Sequence, residues 1–218
     1  MAELKTVAIF GGTFDPVHNG HVQSALELKQ ILQLDELRLL PCHIPPHRQS
    51  PGASSEHRLN MVQLALAGSD LTVDDRELRR QRPSYSVETL ELLRQELGEY
   101  VSLSWVMGVD AFAQLDSWHH WQDLLTLAHI IVMARPGEVL PTLGPIAQLK
   151  AQYQTEQADT LRQQAAGAIY CIELTQYPVS ATEIRSGLAQ RQWRDSDLPA
   201  GVLHYIQQHQ LYADNEKP

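Results

Sequence analysis

Residues Gly11 to His21, GGTFDPVHNGH, decide how this chain is read, because they join a glycine-rich strand exit to two histidines at a helix start. Ahead of them, Thr6-Val7-Ala8-Ile9-Phe10 is a short apolar, partly β-branched run that predicts a buried strand. Behind them, Val22, Ala25, Leu26, Lys29 and Leu32 recur at roughly helical spacing, so the motif is the turn between a strand and an amphipathic helix. Gly11 and Gly12 allow backbone N–H groups to approach an anion with no Cβ in the way. A helix opening near Asn19 adds unpaired N–H donors and the positive end of its dipole. His18 and His21 bracket Gly20, so two imidazoles can project toward one place. Each can donate a hydrogen bond to a phosphoryl oxygen, and each is a stronger donor when protonated. In phosphoryl or nucleotidyl transfer, charge builds on equatorial and leaving oxygens, and fixed donors aimed there lower the barrier without a covalent step. The expectation is a triphosphate site.

The stretch resembles the T/HxGH signature of the nucleotidyltransferase superfamily, and in this form it is similar to the nicotinate-nucleotide adenylyltransferases. No GxxxxGK[ST] follows the first strand, and Gly11-Gly12 lacks the GxGxxG spacing of a dinucleotide fold, which disfavours a P-loop kinase. The resemblance implies that Gly11, Gly12, Thr13, Phe14, His18 and His21 meet ATP. It also implies that Thr13 touches the acceptor substrate and that both histidines are catalytic.

A chain of 218 residues is long enough for one well-buried α/β domain and short for two, so residues 1–218 are expected to form a single domain. Hydrophobic content of 43% is ordinary for a globular protein, and no apolar run approaches membrane-spanning length. MAELKTVAIF runs straight into the first strand, so no secretory leader is expected. Cys42 and Cys171 are then reduced thiols, and a cytoplasmic location follows as an expectation. Seventeen Lys and Arg against 26 Asp and Glu give a net charge of −9, which argues against a nucleic-acid partner. An anion must be met locally, by converging donors among the ten histidines and by a divalent cation. The sequence carries no signal for a particular oligomeric state.

Further strands are expected at residues 37–40, 71–73, 101–107, 129–134 and 168–174. Helices are expected through Leu59, Val62 and Leu66, and after Ser86 as N-cap, burying Val87, Leu90, Leu93 and Leu97. Residues 74–82 form a charged stretch, 136–145 a connector bearing Pro and Gly, and 148–164 a polar helical segment. Two short helices close a C-terminal helical part at about residues 179–212. Strands alternating with helices predict an α/β fold with a doubly wound, mostly parallel sheet, Rossmann-like in the manner of nucleotidyltransferases. In such sheets ligands sit at the carboxyl ends of strands where the order reverses, here between the first and fourth. GGTFDPVHNGH leaves the first strand and Gly108-Val109-Asp110 the fourth, so both motifs point to one crevice.

Other constellations extend this reading. Pro41, Pro45 and Pro46 stiffen the loop after the second strand, and His47 with Arg48 gives it a cationic edge that could equally be incidental surface charge. The family carries a PPH(K/R) element there, implying that Arg48 meets ATP and His47 the acceptor. Arg58, on the next helix, could join the same cluster, but the expectation is a solvated helix charge. Ser180 and Glu183 fit a Ser-x-x-Glu capping box, which leaves Thr182 and Arg185 unexplained. VSATEIR resembles the family's (I/V)SxTxIR element, implying that Ser180, Thr182 and Arg185 touch the triphosphate. Trp118 and Trp121 fit core anchors as readily as stacking platforms. By resemblance Tyr85 and Trp118 hold a pyridine ring, with Trp121 the competing tryptophan. Asp110 suits a helix cap, and by analogy a ribose-hydroxyl acceptor. These matches run from Gly11 to Arg185 in the family's order.

The resemblance implies attack of a pyridine mononucleotide's 5′-phosphate on the α-phosphorus of ATP, assisted by Mg²⁺ held mainly through phosphates, with no metal ligand from protein side chains. Competing readings are another acceptor, such as nicotinamide mononucleotide, pantetheine phosphate or a cytidylyl-transfer substrate, and a noncatalytic nucleotide sensor. A metallohydrolase built on Asp15, His18, His21, His43, His47 and Asp110 is a further competitor.

Overall fold

The computed structural model describes residues 3–43, 51–80 and 83–213. Its strands are β1 (Lys5–Gly12), β2 (Glu36–Pro41), β3 (Thr72–Val73), β4 (Val101–Gly108), β5 (His129–Ala134), β6 (Gln154–Thr155) and β7 (Ile169–Glu173). Its helices are α1 (Asn19–Ile31), α2 (Ser55–Leu66), α3 (Ser86–Leu97), α4 (Val109–Ala113), α5 (Leu124–Leu127), α6 (Gly144–Tyr153), α7 (Thr160–Gln163), α8 (Ala181–Ala189) and α9 (Ala200–Gln208). Among the described residues the strands form one sheet in the order β3-β2-β1-β4-β5-β7-β6. Every pairing in it is parallel. The order reverses between β1 and β4, where Phe10 pairs with Val106, so the crevice expected at their carboxyl ends exists.

Side-chain alternation along β1 explains why helices cover both faces. Ala8 and Phe10 join a core with Val22, Ala25 and Leu28 of α1, Met61 and Val62 of α2, Ile184 of α8 and Val202 of α9. Val7 and Ile9 face the other way, toward Leu90 and Leu93 of α3, Phe112 of α4, Leu124 of α5 and Ile146 of α6. Leu90 and Leu93 are completely buried, each contributing about 1.5–3 kcal/mol of transfer free energy.

Several local expectations need correction. The segment 148–164 is not one helix: α6 ends at Tyr153, and Gln154-Thr155 pairs with Ile169 and Tyr170 as an edge strand. Leu161 of α7 is buried while its flanking Gln and Arg side chains are not, so tertiary packing overrides the local helical bias. Ser86 is the first residue of α3 and Tyr85 holds the N-cap position, with no side-chain cap bond. Asp110 does not cap α4 either; Gly108 does, and Asp110 sits in the first turn, where the positive helix end favours a carboxylate.

Candidate active site

At the carboxyl ends of β1 and β4 lies a cleft of about 1010 Å³. Gly11, Gly12, Thr13, Phe14, His18, His21, Tyr85, Asp110, Trp118, Ser180, Thr182 and Arg185 all line it. His47 and Arg48, together with Pro45 and Pro46 of the same loop, lie outside the described residues. Both tryptophans pack against the core that holds Phe112 and Leu115, and of the two Trp118 also lines the cleft.

The histidine pair is built by reciprocal capping. His18 occupies the N-cap of α1, its Nδ1 accepting from the N–H of His21 at 3.3 Å. His21 returns the bond, its Nδ1 accepting from the N–H of His18 at 3.3 Å. The rings stack with centroids 3.6 Å apart and 24° between planes. Because each Nδ1 is an acceptor, each neutral ring carries its proton on Nε2. Burial pulls the His18 pKa down to about 4, with Asp197 opposing and the Arg135 cation adding to the fall. His21 is held well below the usual imidazole range by burial, then by His18 and Arg135. The free protein therefore offers neutral N–H donors rather than the protonated ones considered from sequence, and the proton positions are fixed by the helix cap itself.

Glycine at position 20 is a packing requirement. A Cβ there would stand 2.8 Å from Val179 Cγ1 and 3.0 Å from His18 Nδ1. The bare backbone thus lets the start of α1 meet the segment leading into α8. Gly11 and Gly12 also make room for neighbouring rings: a Cβ on Gly12 would reach 2.7 Å from the Phe14 ring, and one on Gly11 3.0 Å from Trp105. Phe14 adopts a left-handed backbone with φ of 49°, which turns its buried ring edge-on to Phe10 and His21 at 5.9 and 5.1 Å. Its main chain is what remains for a ligand.

The second motif arrives with α8. Ser180 caps that helix, accepting from the N–H of Glu183 at 3.2 Å. Arg185 donates to the Asp15 carbonyl at 2.6 Å and to Thr182 Oγ1 at 3.4 Å, so it braces the first loop from across the cleft.

Arg58 is a correction. It is 1% exposed rather than solvated, and it donates to the carbonyls of Thr13 at 2.7 Å and His43 at 3.0 Å. No periodicity argument finds it, because its face of α2 is defined by loops distant in sequence. Arg135, missed from sequence, lines the cleft directly after β5; a lone cation following a strand whose carboxyl end faces the ligand was the available signal.

Among the described residues no group of three or more His, Cys, Asp or Glu side chains could hold a metal ion. Asp15 spends its carboxylate on the N–H groups of Gly52 at 2.7 Å and Ala53 at 3.0 Å. With both histidine Nδ1 atoms also committed, the donor set is unlike that of a metallohydrolase. The arrangement is that of a nucleotidyltransferase: helix-end donors and fixed neutral imidazoles around a cleft at a sheet switch point.

Comparison with known proteins agrees. The cytidylyltransferase-like family model matches residues 9–187. The probable nicotinate-nucleotide adenylyltransferase of Cellvibrio japonicus is 50% identical over 95% of this chain and 98% of its own length. The protein of the same name from Pseudomonas entomophila is 46% identical over 96% and 95%. In structure, the Plasmodium falciparum nicotinic acid mononucleotide adenylyltransferase complexed with NaAD superposes with a TM-score of 0.73 at 18% identity, covering 95% of this chain and 97% of that one. Within the cytidylyltransferase-like proteins, the chain belongs to the nicotinate-nucleotide adenylyltransferase family.

Proposed function

We propose that this protein transfers the adenylyl group of ATP to nicotinate mononucleotide, giving nicotinate adenine dinucleotide and pyrophosphate in NAD biosynthesis. An oxygen of the mononucleotide 5′-phosphate attacks the α-phosphorus, and the bond to the β-phosphate bridging oxygen breaks, so pyrophosphate leaves without a protein-bound intermediate. The observation that carries this reading is the His18–His21 pair, whose reciprocal Nδ1 bonds leave both Nε2–H groups as donors. Donors fixed before the reaction need no reorganisation as charge develops on the α-phosphoryl oxygens.

In this reading His18 and His21 are the catalytic residues. Gly11, Gly12, Thr13, Phe14, Arg48, Asp110, Ser180, Thr182 and Arg185 surround ATP, and Thr13, His47, Tyr85 and Trp118 surround the mononucleotide. Magnesium enters as part of the Mg·ATP substrate, carried by phosphates and water. The whole chain, residues 1–218, acts as one nucleotidyltransferase domain with a helical subregion at about 179–212. Cys42 and Cys171 are both free thiols, which suits a cytoplasmic site of action, and no helix among the described residues is long and apolar enough to cross a membrane.

Incubation with Mg·ATP and nicotinate mononucleotide is expected to give the dinucleotide with stoichiometric pyrophosphate, faster than with nicotinamide mononucleotide. ATP binding without pyrophosphate release would mark a nucleotide sensor, and preference for the amide would overturn the stated acceptor.

A further inference from the structure

Glu77 lines the cleft with its side chain almost wholly buried at 3% exposure, and nothing in the proposed chemistry uses it. Its Oε1 accepts from the Thr89 hydroxyl at 2.7 Å. A second hydrogen bond comes from the Ser84 side chain. Ser84 Oγ in turn accepts from the N–H of His43 at 3.2 Å. Thr89 and Ser84 are themselves buried, so the chain of bonds is shielded from water.

The placement of these partners is informative. Ser84 immediately precedes Tyr85, the N-cap residue of α3, and Thr89 lies one turn later, its N–H donating to the Tyr85 carbonyl at 3.2 Å. One carboxyl group therefore grips the chain on both sides of Tyr85. Through Ser84 it also holds His43, where the loop after β2 begins, and the Arg58 guanidinium bonds the His43 carbonyl from the other side. Tyr85 leans on His119 with ring centroids 4.6 Å apart, next to Trp118. All these contacts lie around Tyr85, remote in sequence from the Ser180–Arg185 element.

Burying a carboxyl group is costly, and an apolar side chain of similar volume would fill the space without that cost. An apolar side chain could not hold two hydroxyls in fixed directions. Desolvation drives the Glu77 pKa upward, against its hydroxyl donors and the Arg80 cation, with Asp74 adding to the rise.

We infer that Glu77 is a positioning residue for the acceptor half of the cleft, setting where Tyr85 and His43 stand by holding Ser84 and Thr89. The inference rests on the reading that Tyr85 meets the pyridine mononucleotide, and it separates the two substrates. Glu77→Ala is expected to raise the KM for nicotinate mononucleotide roughly tenfold while the KM for ATP stays within about twofold. Glu77→Gln restores most of the affinity, because its amide oxygen still accepts from both hydroxyls. Ser84→Ala, which keeps the carboxyl group but cuts the link to His43, raises the mononucleotide KM by roughly a factor of three. A residue that only stabilised the fold would move both KM values together. An unchanged mononucleotide KM in Glu77→Ala, or an equal rise for both substrates, overturns the inference. Should Glu77→Ala fail to fold, an unchanged mononucleotide KM in Ser84→Ala does the same. A wild-type chain that forms no dinucleotide overturns the functional reading and this inference with it, whereas an active wild type with an unaltered Glu77→Ala removes the inference alone.

Discussion

Tyr212 donates a 2.6 Å hydrogen bond from its phenol to Oδ1 of Asp15, joining the end of the described chain to its first loop across 197 positions. Burial and the Asp15 carboxylate push ionisation of the phenol well above its ordinary range, so it stays a donor. Asp15 also takes two backbone N–H groups and stands 3.9 Å from the Arg185 guanidinium. The loop that leads into the His18–His21 pair is thus braced by α8, by the lead-in to α2 and by the C-terminal segment.

Removing one bond at this junction should differ from removing the acceptor. Tyr212→Phe is expected to cost about 1 kcal/mol. Asp15→Ala leaves the phenol and two amides without their acceptor and removes the carboxylate beside Arg185, which keeps its bond to the main-chain carbonyl, and is expected to cost about 3–5 kcal/mol. Thermal unfolding of the two variants measures this, and equal losses would contradict the bracing role of Asp15.

Replacing either imidazole of the His18–His21 pair should leave ATP binding largely intact. His18→Ala and His21→Ala are each expected to lower kcat by about 10²–10³-fold with little change in the KM for ATP. His18→Asn supplies another N-cap acceptor and is expected to retain the roughly 1 kcal/mol that His18→Ala loses, yet to be equally slow. Steady-state kinetics beside unfolding curves separates the two roles; comparable loss of ATP affinity would mark the rings as ground-state binders.

Histidine ionisation gives the free protein a pH-dependent stability of defined sign. His18 is lowered from 6.5 to about 4, and His21 and His129 are also lowered, burial being the largest cause for each. Below pH 6.5 the unfolded chain therefore binds protons that the folded chain refuses, so stability rises with pH in this window. The contribution is complete above pH 6.5 and is lost as pH falls toward about 4. The Tm should drop steadily from about pH 7 to 5, and a Tm flat over that interval would exclude neutral buried histidines.

A methyl group at position 20 tests the junction between the two motifs. Gly20→Ala meets Val179 and the His18 ring, and is expected to cost about 1–3 kcal/mol and to lower kcat by displacing the imidazole. Val179→Ala in the same chain removes the closer of those contacts. Recovery of stability in the double variant, measured as a double-mutant cycle, is the expected result; strict additivity would place the strain elsewhere.

Much of this fold is legible along the chain because its signals are local. The apolar run before Gly11, the helical spacing from Val22 and the strands at Val101 and His129 each satisfy one period within a few residues. The segment 148–164 misled because its edge strand is specified by pairing with β7, not by its own composition. The same distinction divides the site. Motif residues such as His18, Ser180 and Arg185 stand in recognisable strings. Arg58 and Glu77 matter through partners on other elements, and no string contains them.

The sequence by itself determined the alternation of strands and helices, the strand-to-helix position of GGTFDPVHNGH and the residue types gathered for a nucleotide, because propensity and periodicity act over neighbouring residues. Tertiary structure alone decided which nitrogen of each imidazole carries the proton, that Trp118 and not Trp121 lines the cleft, and that Asp15 and Arg58 hold loops together. Those outcomes depend on burial and on hydrogen bonds between residues far apart along the chain, and such contacts exist only once the sheet has brought their elements side by side.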